Sequence, residues 1–538
     1  MARLDGHGRV LFTGGTILID AASGSTTDAL LVDGARIAAH GAAARAAAAT
    51  GDRSVEGQGD GRCSVDVVTV ALGGRALLPG FIDAHTHLAH RGFALTGLDL
   101  SGTRSAREVI ERTREALAKQ EPGRPLIGEG WDDSTWVTGG AGLAETLDGT
   151  ALDRLSAETP ILLRRVCGHK AAANRVAIDT LLRQDPTLDR PQLVDRRRGL
   201  LLELAALRLR RAFAPTASEI EVALHAAVAE ALSHGITAVH DLGDAAALAA
   251  AAALRARGEA GLRTVFHMSG ADRMTRRAEA TATIGDDAWL RVGGVKLFLD
   301  GSVGARTAAL EAPYQRPDGG PAEHGQLLLD PATLEHQIAA IHARGWQAVV
   351  HVIGDRAIAR ALDAFARLGP AACRERRHRL EHVELLPPAL LERLAASGLT
   401  VCLQPNFIAQ WQAPGGLYMR MLGEERWRWM NRLGAIHEHQ IPLAFGSDCM
   451  PLGPLYGIGA AVHHPVDSER LTVDEALAAY TTAADAASPA AEPLGTLEIG
   501  RRADCVLLDR DPRGVADPAA SRVLATVVDG RLAHAASA

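Results

Sequence analysis

Short apolar runs alternate with amphipathic stretches through most of the chain, and Gly or Pro punctuates the joins. Eight of these runs read as strands: Ala76 to His87, Ile236 to Leu242, Arg263 to Met268, Gly294 to Asp300, Gln347 to Ile353, Arg379 to Glu384, Thr400 to Gln404 and Pro442 to Ser447. They are rich in Val, Ile, Leu and Phe and too continuous to have one wet face, which suits a parallel sheet covered on both sides. Helical stretches between them complete an α/β alternation, and eight such units predict a distorted TIM (β/α)8 barrel. The texture changes at both ends. Arg9-Val-Leu-Phe, Thr16-Ile-Leu-Ile, Leu30-Leu-Val and Val67-Val-Thr-Val are β-rich runs between glycine turns, as are Ala503-Asp-Cys-Val-Leu-Leu and the run from Val523. Neither end can bury a core alone, so the expectation is a composite β-sandwich of residues 1–78 plus 490–538 around a barrel of residues 79–489. The gap between the first two barrel strands is too long for one crossover. Residues 100–225 therefore read as an insertion or lid, with a helix opening at Ser105 as N-cap.

Composition narrows the function classes. The chain has 538 residues, 47% hydrophobic and 22% charged, with a formal net charge of -7. That balance argues against a nucleic-acid surface, and Arg196 to Arg198 and Arg208 to Arg211 read as solvated faces. No basic stretch followed by an apolar run opens the chain, and no apolar run is long enough for a membrane span. Six scattered cysteines without a C-x-x-C pair read as reduced thiols, so a cytoplasmic location is expected. The expected partner is a small-molecule substrate, with no nucleic acid and no membrane; a homo-oligomer is compatible with the composition.

Candidate chemistry gathers at the strand ends, where barrel active sites are built. The first strand ends in His85-Thr-His87, whose imidazoles share a side because alternate residues of a strand do. Lys296 sits in the fourth strand, His351 in the fifth, His382 in the sixth, and Asp448 closes the eighth. Singly each has a plain reading: a histidine in a strand is more often hydrogen-bonded core, Lys296 could snorkel, and Asp448 could cap a helix. Together, at matching depth, they predict a metal centre. Lys296 selects its type, since an ammonium is a poor neighbour for a dication. Desolvation leaves a nucleophilic amine that can add carbon dioxide, and the resulting N6-carboxylated lysine can bridge two ions. Metal-activated water, with Asp448 as general acid/base, would hydrolyse an amide-like bond.

Phe81-Ile-Asp-Ala-His-Thr-His, Lys296, His351, His382 and Gly446-Ser-Asp448 resemble the metal-dependent amidohydrolase superfamily. Gly130-Trp-Asp, Cys167-Gly-His169-Lys-Ala-Ala-Ala-Asn174, Lys296-Leu-Phe-Leu-Asp-Gly-Ser-Val-Gly, His351-Val-Ile-Gly-Asp-Arg-Ala and Arg379-Leu-Glu-His-Val-Glu are similar to its amidohydrolase-3 (YtcJ-like) branch, which includes N-substituted formamide deformylase. The resemblance covers essentially the whole chain. It implies Zn2+ or a similar divalent metal, one ion or two, held by His85, His87, Lys296, His351, His382 and Asp448. It also implies hydrolysis of a non-peptide carbon–nitrogen bond, as in an N-acyl or N-formyl amine. A deaminase or cyclic-amide hydrolase would use the same site, and a non-catalytic scaffold would have no need of all six residues. Arg196 to Arg198 and the pair His463-His464 depart from the expected pattern and bear on substrate, not metal. His169, Asn174, Trp131, Asp300 and Arg306 are the candidate substrate contacts, with Asp132 and Ser302 near them and Asp355 as support for the His351 loop.

Overall fold

The computed structural model describes residues 8–50, 67–120, 124–133, 136, 147–270, 272–284, 287–316, 320–488 and 492–537. Its centre is a parallel sheet of eight strands: Phe81–Thr86, Ile236–Gly243, Arg263–Met268, Leu290–Phe298, Ala348–Val352, Arg379–His382, Thr400–Leu403 and Leu443–Phe445. They pair in chain order. The first and last face each other across a seam tied by Asp448 N donating to His85 O at 2.8 Å. Ser447 N adds a bond to the Asp83 carboxylate at 2.9 Å. The seam is tight because residue 446 is glycine: a Cβ there would stand 2.4 Å from the His85 nitrogen. The barrel's outward side chains, among them Val350, Leu380 and Val401, pack against the covering helices in one large core. Its lower interior is polar, with Arg379, His240, His267 and Ser488 buried and hydrogen-bonded to one another.

The first predicted strand is two strands. Ala76–Pro79 belongs to a second sheet and Phe81–Thr86 to the barrel. Gly80 divides them, and a Cβ on it would lie 2.3 Å from the Thr237 side chain. That second sheet has eight strands drawn from both ends of the chain, and Cys505–Leu508 pairs antiparallel with Ala76–Pro79. Val10, Phe12, Leu30, Leu77, Leu507 and Val527 meet in its core.

Between the first two barrel strands the chain builds a further six-stranded sheet, from Leu98–Asp99 to Leu200–Leu202. Most of these strands are too short to show a period. The expected helix is present as Ala106–Leu117, with the Ser105 hydroxyl accepting from Glu108 N at 3.1 Å.

Candidate active site

The strand ends deliver their polar side chains to one place at the barrel mouth. One ligand atom each from His85, His382 and Asp448 lies within 4.8 Å of the others. The His87 Nε2 stands 3.2 Å from Asp448 Oδ1, and the His85 Nε2 is 3.7 Å from that oxygen. The rings of His351 and His382 are 4.4 Å apart, and those of His85 and His382 are 4.9 Å apart. Lys296 enters from the fourth strand, its Nζ 5.0 Å from the Phe298 ring centroid.

Three of these imidazoles are anchored through one nitrogen, which orients the other. His85 Nδ1 meets the Glu381 carboxylate at 2.5 Å, His87 Nδ1 meets Leu242 O at 2.6 Å, and His351 Nε2 meets Gly301 O at 3.1 Å. A hydrogen bond behind a ring sets its tautomer and direction, as around bound metals. Glu381 is in turn clasped by Arg379, with Nε 2.7 Å and Nη2 3.1 Å from its two oxygens. Burial alone would push the Glu381 carboxyl up, but Arg379 and Lys296 outweigh it and hold it below its ordinary value.

Burial, with neighbouring positive charge, drives His85, His351 and His382 well below the usual imidazole range, so these rings are neutral. Neutral imidazole is the form that binds metal. Burial also lowers Lys296 to about 8, against the upward pull of Glu381 and Asp448. His85 Nε2, His382 Nδ1 and Lys296 Nζ are buried and without hydrogen-bond partners among the described residues. Polar atoms so placed normally have a partner. Two neutral imidazole nitrogens beside a carboxylate, with an amine that is partly deprotonated near neutrality, form a donor set that fits a divalent ion.

A narrow pocket opens above this centre. Its floor is His351, His382 and Asp448; Phe407, Trp411, Leu417 and Tyr418 form an apolar wall; Arg165, Cys167 and His169 come from the six-stranded sheet. His169 thus lies where substrate contacts were expected. Its Nδ1 is 2.8 Å from Glu203, and that carboxylate, overcoming the effect of burial, raises the ring to about 9. Arg165 is fixed by Asp132 and Asp133, and the Trp411 indole donates to Asp132 at 3.1 Å, which pins the cavity wall to the insertion.

Four candidate contacts are elsewhere. Trp131 is fully buried, donating to Leu163 O at 3.1 Å and packing on Trp136, because its strand turns it into the insertion's own core. Asn174 caps the helix Arg175–Gln184, its Oδ1 accepting from Ala177 N at 3.2 Å and Ile161 N at 3.0 Å, so none of it faces the cavity. Arg306 points outward to Gln315 O and Glu323. Asp300 is buried beneath the cavity and accepts from Ala309, Ile353 and Gly354 N–H groups at 2.8–3.0 Å. It, and not Asp355, supports the loop after His351; Asp355 accepts from Glu311 N at 2.9 Å.

The sequence profile of the Amidohydrolase family matches residues 68–534. YtcJ of Bacillus subtilis (strain 168) is 29% identical over 504 residues, spanning 88% of this chain and 91% of its own. N-substituted formamide deformylase of Arthrobacter pascens is 26% identical over 559 residues, spanning 95% of this chain and 96% of its own. The crystal structure of an uncharacterized metal-dependent hydrolase from Pyrococcus furiosus superposes with a TM-score of 0.71 at 28% identity, over 94% of this chain and 100% of that one.

Proposed function

The chain belongs to the amidohydrolase family, and from that premise we propose that it hydrolyses a non-peptide carbon–nitrogen bond of a small N-acyl or N-formyl amine. One observation carries this reading: neutral imidazoles, the Lys296 amine and the Asp448 carboxylate converge at the floor of a pocket in the barrel mouth. The proposed ligands are His85, His87, Lys296, His351, His382 and Asp448. A divalent ion, zinc for this donor set, supplies when bound an acidified water and polarisation of a carbonyl. The protein's own groups do the rest. Asp448 takes the proton of the attacking water and returns it to the departing nitrogen. The C–N bond breaks, the acyl carbon gains the water oxygen, and a carboxylic acid and an amine leave. Lys296, with its pKa brought to about 8, offers a free amine fraction near neutrality. Addition of carbon dioxide forms an N–C bond, releases the amine proton and leaves an anionic carbamate suited to bridging two ions.

Metal analysis of the purified protein, joined to an amide and ester screen, tests the reading. Stoichiometric divalent metal and a rate about 10²–10⁴-fold lower in Asp448→Asn are expected. A metal-free protein, or a variant as active as the parent, overturns it. Lys296→Ala should lose at least one ion; full occupancy of two positions in that variant contradicts the bridging role.

A further inference from the structure

One carboxylate on the cavity wall has no part in this chemistry. Glu384 stands two residues beyond His382, after two left-handed residues, His382 at φ 73° and Val383 at φ 45°. A β-branched residue avoids that region, so the turn persists only because its surroundings hold it. Val383 N donates to Val352 O at 2.9 Å and to Glu381 O at 3.0 Å, and Leu385 N donates to Ile353 O at 3.0 Å. The turn puts Glu384 on the cavity wall with His351 and His382, its side chain only 3% exposed. Tyr418 lines the pocket with this carboxylate. Glu384 Oε2 is buried without a hydrogen-bond partner among the described residues. An acceptor so enclosed is costly unless something entering the cavity donates to it.

We propose that Glu384 sets specificity by accepting the N–H of the scissile group. Glu384 lines the same pocket as His351, His382 and Asp448, and the donor assigned to its open oxygen is the nitrogen of the bond to be cut. The apolar wall of Phe407, Trp411 and Leu417 then receives the substituent on nitrogen. The substrates are secondary amides with an apolar N-substituent, and N,N-disubstituted amides are excluded. This rests on the carbon–nitrogen hydrolase reading and is tested apart from turnover.

The probes are N-(2-phenylethyl)acetamide and its N-methyl twin, titrated calorimetrically into the full, metal-loaded Asp448→Asn protein. The secondary amide should bind at least about tenfold more tightly than its twin. The preference should vanish when Glu384→Ala is added and survive in part with Glu384→Gln, which keeps an acceptor; metal content should not change in either. Equal binding of the two probes, no binding of either, a preference that persists with Glu384→Ala, or metal lost along with Glu384 overturns the inference. Hydrolysis of carbon–nitrogen substrates by the unaltered protein with no preference for N–H would remove this inference and leave the hydrolase standing.

Discussion

The imidazole of His85 is gripped from behind by Glu381, and Glu381 by Arg379, all three fully buried. Removing the carboxylate would leave an arginine charge in the barrel without its partner, which costs about 3–5 kcal/mol. Glu381→Ala should therefore lower the melting temperature markedly as well as release metal. Glu381→Gln keeps a hydrogen bond and should fold, yet lose metal affinity about 10–100-fold, measurable by competition with a chelator. The residues to which this chemistry is assigned were legible because they sit at or near the ends of five strands, where local pattern reveals them. Glu381 and Glu384 lie inside a quoted motif but carry no spacing that separates them from strand polarity. Tyr418 and Trp411 reach the cavity from helices whose placement depends on the whole barrel. Trp131 and Asn174 misled for the opposite reason: they belong to a matching motif whose strand and cap turn them away from the mouth.

At the level of elements, the seam between the first and eighth strands carries the site, because the backbone of His85 is itself one of its hydrogen-bonding edges. Gly446→Ala would press a methyl group into that backbone. It should destabilise by about 1–3 kcal/mol, as overpacking does, and displace His85. The check is a denaturant titration together with metal stoichiometry, both expected to fall. Seven of the predicted barrel strands appear close to the expected places because their apolar runs are bounded by polar turns. Ala76 to His87 reads as one run because Pro79 and Gly80 break the backbone without breaking the hydrophobicity. The insertion's sheet escaped for want of length, its strands having two to six residues.

Across the molecule, burial holds many histidines neutral. His378 and His464 are each lowered to about 4, chiefly by burial, and His240 and His267 lie well below the usual range. Below about pH 6.5 the unfolded chain takes up protons that the folded one refuses, so the contribution of His378 and His464 is present above that pH and is lost as pH falls towards 4. The melting temperature should decline across this window. His378→Asn, which retains an acceptor for the Ala348 N–H now bonded to His378 Nδ1 at 2.9 Å, should flatten part of the slope. An unchanged slope would assign the acid sensitivity to other groups.

The sheet shared by both ends of the chain also governs how the molecule is made. Ala76–Pro79 finds its antiparallel neighbour only at Cys505–Leu508, and Gly80 N donates to Asp504 O at 2.9 Å. On the ribosome the early strands of this sheet can pair with one another, but one edge of Ala76–Pro79 stays open until Cys505–Leu508 is made, while barrel units can begin to pair behind it. Arg263 closes the arrangement by holding both Asp504 and Asp529 to the barrel. A nascent chain broken off before Asp504 would thus expose an open strand edge next to the strand that carries His85. Proteolytic surveillance then has an unpaired edge by which to recognise a chain that stops short of Cys505–Leu508.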